Sequence, residues 1–260
     1  MKDIQKEKDT RNIDIQKVGV KDVETPLVIQ RKNQHDTSTV YAKAKMSVSL
    51  PRHFKGTHMS RFIEILNEYR KTNLLGVDIK SMLEEMKKKL DATSAYLKFD
   101  FKYFIGKSAP VSKNRSLMAY DCFFEGVLDE DDYKFYLGAK VPITTLCPCS
   151  KEISEYGAHN QRALVKVKIS YDEKDHIWLE DLISDIEDCA SSELYSLLKR
   201  EDEKFVTERA YNNPKFVEDV IRDVVLKLKN NKVIKTYEVE IEALESIHNH
   251  SAWAFQKGFN

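Results

Sequence analysis

A chain of 260 residues with 42% hydrophobic and 32% charged side chains is long enough to bury a core and too apolar to be disordered. Lys+Arg and Asp+Glu both number 42, so the net charge is zero, and no basic excess points to nucleic acid or a membrane surface as partner. The opening MKDIQKEKDTRNIDIQK lacks the apolar heart of a signal peptide, no stretch is apolar enough to span a bilayer, and four cysteines without framework spacing fit a reducing cytoplasm.

Residues 1–35 read as a polar arm that adds little core, apart from Val28 and Ile29. Val40, Ala42, Ala44, Met46, Val48 and Leu50 then alternate with polar residues, the mark of a half-buried strand that Pro51 ends. Met59, Phe62, Ile63, Leu66 and Tyr69 follow at helical spacing. Gly76 reads as a break, and Asp78 as the cap of a second helix carrying Ile79, Met82, Leu83, Met86 and Leu90. Two strands come next, over 95–105 and 116–128, and a third from Tyr133 to Val141.

Val165, Val167, Ile169 and Tyr171 mark a further strand. Leu179, Leu182, Ile183, Ile186, Ala190, Leu194 and Leu197 predict one long helix. Asn213-Pro214 predicts the start of another, with Pro at its first position and Val217, Val220, Ile221, Val224 and Leu228 inward. Val233, Tyr237, Val239 and Ile241 supply the last strand. The element order suggests a duplication: a first module over 36–130 and a second over 131–260. The fold class is α+β, an antiparallel sheet with helices on one face.

Four segments concentrate reactive groups. Cys147-Pro-Cys149, with His159 twelve residues after Cys147, brings together thiolate and imidazole, the side chains that best hold borderline-soft ions. A Cys-x-Cys pair closes a disulfide on itself only with strain, so the loop reads as a metal site or a reactive thiol, against a plainer pair of half-buried small hydrophobes. Lys55-Gly56-Thr57-His58-Met59-Ser60-Arg61 stands at a strand-to-helix junction, where backbone N–H groups and cations suit a phosphate; a cap by Thr57 is the structural alternative. The charge run 199–204 reads as a solvated linker, and Glu218 as a carboxylate favoured by its helix dipole. Glu245-Ser-Ile-His248-Asn-His250, past the last strand, has the residue types for holding a metal or moving protons.

CPCSKEIS…GAHNQRA, KGTHMSRF, KREDEKFVTE, NPKFVEDVIRD and ESIHNHSAWA occur in the order found in type IB GTP cyclohydrolase I, and from about residue 15 onward the chain resembles that family. The resemblance implies a tunnelling fold with two modules per chain, a homotetramer with active sites at subunit interfaces, and conversion of GTP to 7,8-dihydroneopterin triphosphate and formate for tetrahydrofolate synthesis. It implies Cys147, His159 and Glu203 as ligands of one divalent metal (zinc, manganese or iron(II)), with Glu201 as the alternative carboxylate. It further implies Glu218 on the guanine edge, Glu245, His248 and His250 as the groups that handle protons, and Cys149 beside the metal. Lys55, His58 and Arg61 are the expected triphosphate contacts, on their chemistry rather than on the resemblance. Three alternatives remain: an archaeal-type GTP cyclohydrolase giving a cyclic phosphate, a metal-independent tunnelling-fold cysteine enzyme, and a metal-stabilised assembly module without turnover.

Overall fold

The computed structural model describes residues 5, 7–33, 36–70, 73–74 and 76–260. By proximity the chain groups into two units, one of residues 1–102 and 123–137 and one of residues 103–122 and 138–260. Three long strands each contribute to both units.

In unit 1 the strands are β1 (Ile15–Gln30), β2 (Thr37–Leu50), β3 (Asn73–Leu74) and parts of β4 (Ser94–Ser108), β5 (Arg115–Asp129) and β6 (Asp132–Leu146), in the order β3-β1-β2-β4-β5-β6. The expected polar arm is thus largely β1. It pairs antiparallel with β2 along most of its length and buries Leu27 and Ile29. Its polar composition hid it, because most of its first ten residues are exposed. Close approach of the two backbones requires Gly19: a Cβ there would stand 2.0 Å from the Met46 carbonyl oxygen.

Two helices cover one face of unit 1. α1 (Met59–Tyr69) buries Phe62, Ile65 and Leu66, while Ile63, expected inward, is exposed. α2 (Gly76–Leu90) begins at the glycine expected to separate it from α1, and Asp78 sits within its first turn rather than capping it. Its buried stripe is Ile79, Met82, Leu83, Met86 and Leu90, as its period implies. Gly126 of β5 lets this helix lie close, since a Cβ there would meet Ile79 Cγ2 at 2.4 Å.

Unit 2 holds the remaining parts of β4, β5 and β6, then α3 (Pro148–Ile153), β7 (Asn160–Tyr171), α4 (Leu179–Glu187), α5 (Arg200–Asn212), α6 (Val217–Asn230), β8 (Ile234–Leu244) and β9 (Ser251–Phe259), with strand order β4-β5-β6-β7-β8-β9. β9, which the sequence did not reveal, pairs among the described residues with β8 alone and carries Trp253, Phe255 and Phe259 exposed. An edge strand with one packed neighbour has no clean inward stripe to read. α6 packs on β8 and β9 with the five apolar residues expected.

Two helix boundaries differ from expectation, each because tertiary hydrogen bonds outcompete helix propagation. α4 stops at Glu187, and Ser191 and Ser192 turn back to exchange backbone hydrogen bonds with Thr144 of β6. Asn213 and Lys215 precede α6 instead of opening it: Asn213 Nδ2 donates to the Ala190 carbonyl at 2.9 Å, and the Lys215 N–H to that of Leu146 at 3.0 Å. The N-cap is Phe216, whose N–H donates to the carboxylate of Asp219 in the first turn at 3.0 Å.

The charge run 199–204 is likewise no solvated linker but the first turn of α5, and Asp202 within it is fully buried. Its carboxylate accepts from the N–H groups of Val111, Ser112 and Lys199 at 2.8–2.9 Å and from the Ser112 hydroxyl at 2.6 Å. Desolvation pushes its pKa up, but these donors outweigh it and hold the carboxyl well below the ordinary aspartate value of 3.8. A folded-state pKa depressed below the unfolded one stabilises above the unfolded value, and that contribution is lost as pH falls below it. Asp202→Asn, with one acceptor oxygen for four donors, should lower the urea midpoint at neutral pH and flatten its decline below about pH 4; an unchanged midpoint would remove this role.

Candidate active site

Cys147 follows β6 as the N-cap of α3, with Pro148 in the first turn. Its Sγ accepts from the Ser150 N–H at 3.4 Å, its own N–H donates to the His159 carbonyl at 3.1 Å, and the His159 N–H donates to Ser150 Oγ at 3.3 Å. These bonds fold the twelve-residue loop so that thiol and imidazole meet in one cavity of about 410 Å³. Glu218, in the first turn of α6, lines it too, as do Glu245, His248 and His250 from the turn between β8 and β9. The two histidine rings stack at 5.1 Å between centroids.

Of the expected set, Cys147, His159, Glu218, Glu245, His248 and His250 converge. Cys149 is exposed on α3 and does not line the cavity. Glu203 and Glu201 are exposed on the first turn of α5 and do not line it either. Among the described residues no three of His, Cys, Asp and Glu stand close enough to hold a metal ion. Cys147 and His159 supply one thiolate and one imidazole, a donor pair that fits a divalent borderline ion, but one chain by itself brings together only two of the three expected ligands.

Lys55, His58 and Arg61 belong to unit 1 and are not part of the cavity. Lys55 pairs with Glu7 at 3.2 Å, His58 precedes α1 as its cap residue, and Arg61 donates to the Lys89 carbonyl at 2.6 Å. A larger cavity of about 550 Å³ opens in unit 1 beside Asp14–Lys17 and Ser47–Pro51, but no cysteine or histidine lines it. Chemistry, not size, picks the site.

Gln161, Lys215, Phe216 and Trp253 also line the site, and motif reasoning missed them. Lys215 is a strut: its Nζ donates to the Cys189 carbonyl at 2.9 Å and to Asp223 Oδ2 at 2.7 Å, fixing the entry to α6 and hence Glu218. Gln161 had a signal in the sequence, since it occupies the inward phase of β7 with Ala163, Val165, Val167 and Ile169. A polar residue on a buried stripe asks for a partner.

The family model for type I GTP cyclohydrolase FolE2 matches residues 1–254. The chain belongs to this family. It is 58% identical to the GTP cyclohydrolase FolE2 of Syntrophotalea carbinolica over 98% of this chain and 94% of that one. The FolE2 proteins of Geobacter sulfurreducens and Thermosipho africanus are 56% and 49% identical, each match covering 98% of this chain and 96% of the relative. Among solved structures, a uricase from Bacillus fastidious superposes with a TM-score of 0.57 at 9% identity, covering 94% of each chain, and that of Arthrobacter globiformis with 0.52 at 7%, covering 94% of this chain and 93% of that one. At such identities the likeness shows the fold alone, and it is the α+β tunnelling fold that the sequence resemblance implied. No helix among the described residues is long and apolar enough to cross a membrane.

Proposed function

We propose that this chain is a GTP cyclohydrolase of subtype IB, hydrolysing GTP to 7,8-dihydroneopterin triphosphate and formate for tetrahydrofolate synthesis. The observation that carries this reading is the convergence of Cys147, His159, Glu218, Glu245, His248 and His250 on one cavity in a chain of the FolE2 family. Cys147 and His159 would hold one divalent ion, with Glu203 joining them on assembly. Zinc, manganese and iron(II) all suit a mixed thiolate, imidazole and carboxylate set. When bound, the ion supplies the Lewis acidity that makes water a competent nucleophile near neutral pH.

The other side chains divide the remaining work. Glu218, as a carboxylate, accepts from guanine N1–H and the 2-amino group together, whereas adenine has neither donor on that edge. Glu245, His248 and His250, which line the same cavity, would deliver and remove protons as the imidazole ring of guanine opens and formate leaves. Exposed Trp253, Phe255 and Phe259 on the edge strand β9 support assembly into a homotetramer, since an uncovered aromatic edge invites pairing. The neutral charge gives no reason to invoke nucleic acid or membrane as partner, and the free cysteines suit the cytoplasm.

Incubation of the purified chain with GTP and manganese(II) should give a product that fluoresces as a pterin after oxidation, with release of formate. The product mass separates the linear triphosphate from a cyclic phosphate. Activity that needs NADPH and no metal would instead favour the cysteine-enzyme reading, and no turnover at all the assembly module.

The triphosphate is assigned to Lys55, His58 and Arg61, supplied across a subunit contact. Arg makes bidentate phosphate contacts that Lys does not reproduce. Arg61→Lys should therefore raise KM for GTP far more than for guanosine. Equal effects would leave Arg61 with only its bond to the Lys89 carbonyl.

A further inference from the structure

Gln161 is nine-tenths buried and spans two residues of the site from opposite sides. Its Oε1 lies 3.0 Å from His159 Nδ1, and its Nε2 lies 3.4 Å from Glu245 Oε1. No direct hydrogen bond joins the outer pair, since Glu245 Oε2 is 3.9 Å from His159 Nδ1. Ser246 Oγ also approaches Nδ1, but at 3.5 Å and from an exposed residue.

A carboxylate only accepts hydrogen bonds, so the end of the carboxamide that faces Glu245 must be the NH₂ group. The opposite orientation would set an amide oxygen against a carboxylate oxygen. With the amide so fixed, its oxygen faces His159, and the ring nitrogen opposite it must carry a proton. We propose that Gln161 is a positioning residue that holds His159 as the Nδ1–H tautomer, leaving the Nε2 lone pair for a metal ion, and ties that ligand to the proton-handling carboxylate Glu245. The inference rests on the reading of His159 as a ligand. Its physical basis is general: a ligating imidazole is oriented, and made more basic, by the acceptor on its other nitrogen.

Glutamine suits this place in a way glutamate does not. A carboxylate at 161 still accepts from Nδ1–H, but it offers no donor to Glu245 and puts two negative groups side by side. The two ends of the amide can therefore be separated by substitution. Gln161→Ala removes both, whereas Gln161→Glu keeps the acceptor and deletes the donor.

The test uses the full chain, with circular dichroism confirming that each variant is folded. In metal-free, ¹⁵N-histidine-labelled protein at mildly alkaline pH, where imidazoles are neutral, His159 Nδ1 should show a pyrrole-type shift in the parent and in Gln161→Glu. In Gln161→Ala it should move to the pyridine type. Zinc(II) affinity, read by competition with a chromophoric chelator, should fall about 10- to 100-fold in Gln161→Ala and stay near parental in Gln161→Glu, while kcat falls in both. A pyrrole-type Nδ1 in Gln161→Ala would overturn the proposal, as would a Gln161→Glu that loses zinc as fully as Gln161→Ala. His159→Ala separates the underlying reading: parental zinc affinity there would remove His159 as a ligand while leaving the tautomer result to stand on its own.

Discussion

Replacing Cys147 by serine, or His159 by alanine, is expected to abolish metal binding and GTP turnover together while leaving the fold intact. Serine keeps the shape of cysteine but is a far poorer ligand than a thiolate for a borderline ion, and alanine offers no donor at all. The fold should survive because Cys147 is only partly buried and its side chain makes one long contact, to the Ser150 N–H. His159 engages the loop chiefly through its backbone, with the N–H donating to Ser150 Oγ and the carbonyl accepting from Cys147. The result expected is a metal content near zero by elemental analysis, with unchanged circular dichroism and unchanged oligomer mass. Full metal occupancy with lost activity would mean that the two side chains act otherwise, Cys147 most directly as a nucleophile.

Glu218→Gln should weaken GTP binding by roughly 1.5–3 kcal/mol, the range for hydrogen bonds to a charged group, about 10- to 100-fold in Kd. The substitution keeps volume but turns an amide donor towards guanine's own donors. Glu218 lines the cavity from the first turn of α6, and the carboxylate that accepts from the N-cap Phe216 is that of Asp219, not Glu218. The helix should therefore form equally well in the variant, and inosine triphosphate, which lacks the 2-amino group, should lose less than GTP. Equal GTP affinity in parent and variant would leave Glu218 as a residue favoured only by the helix dipole.

The three substitutions probe residues that the sequence marked for different reasons. Cys147 and His159 are legible because their side chains have few common uses, and the Pro between the cysteines advertises a stiff loop. Glu218 is legible only through its motif, since an acidic residue in a first helical turn is ordinary. Glu203 shows the limit of reading by motif. It is named by the same kind of likeness, yet it stands exposed on α5, outside the cavity. Spacing along the chain does not say which side chains an assembly will bring together.

The amphipathic elements were determined by the sequence itself. β2, β4, β6, β7, α2 and the inward face of α6 follow from local periodicity, because each buries one continuous stripe against a single layer. The tertiary structure decided whatever depends on a distant partner. β1 and β9 are strands because β2 and β8 supply their hydrogen bonds, not because of their own apolar content. α4 ends where Thr144 captures Ser191 and Ser192, and Asp202 is buried because Val111, Ser112 and Lys199 bring it four donors. Gln161 acquires a role only when the turn after β8 delivers Glu245 to within 3.4 Å of its amide. Hydrophobic periodicity is a local property and can be read from neighbours in the chain, whereas a hydrogen bond between residues 84 positions apart exists only once the sheet has formed.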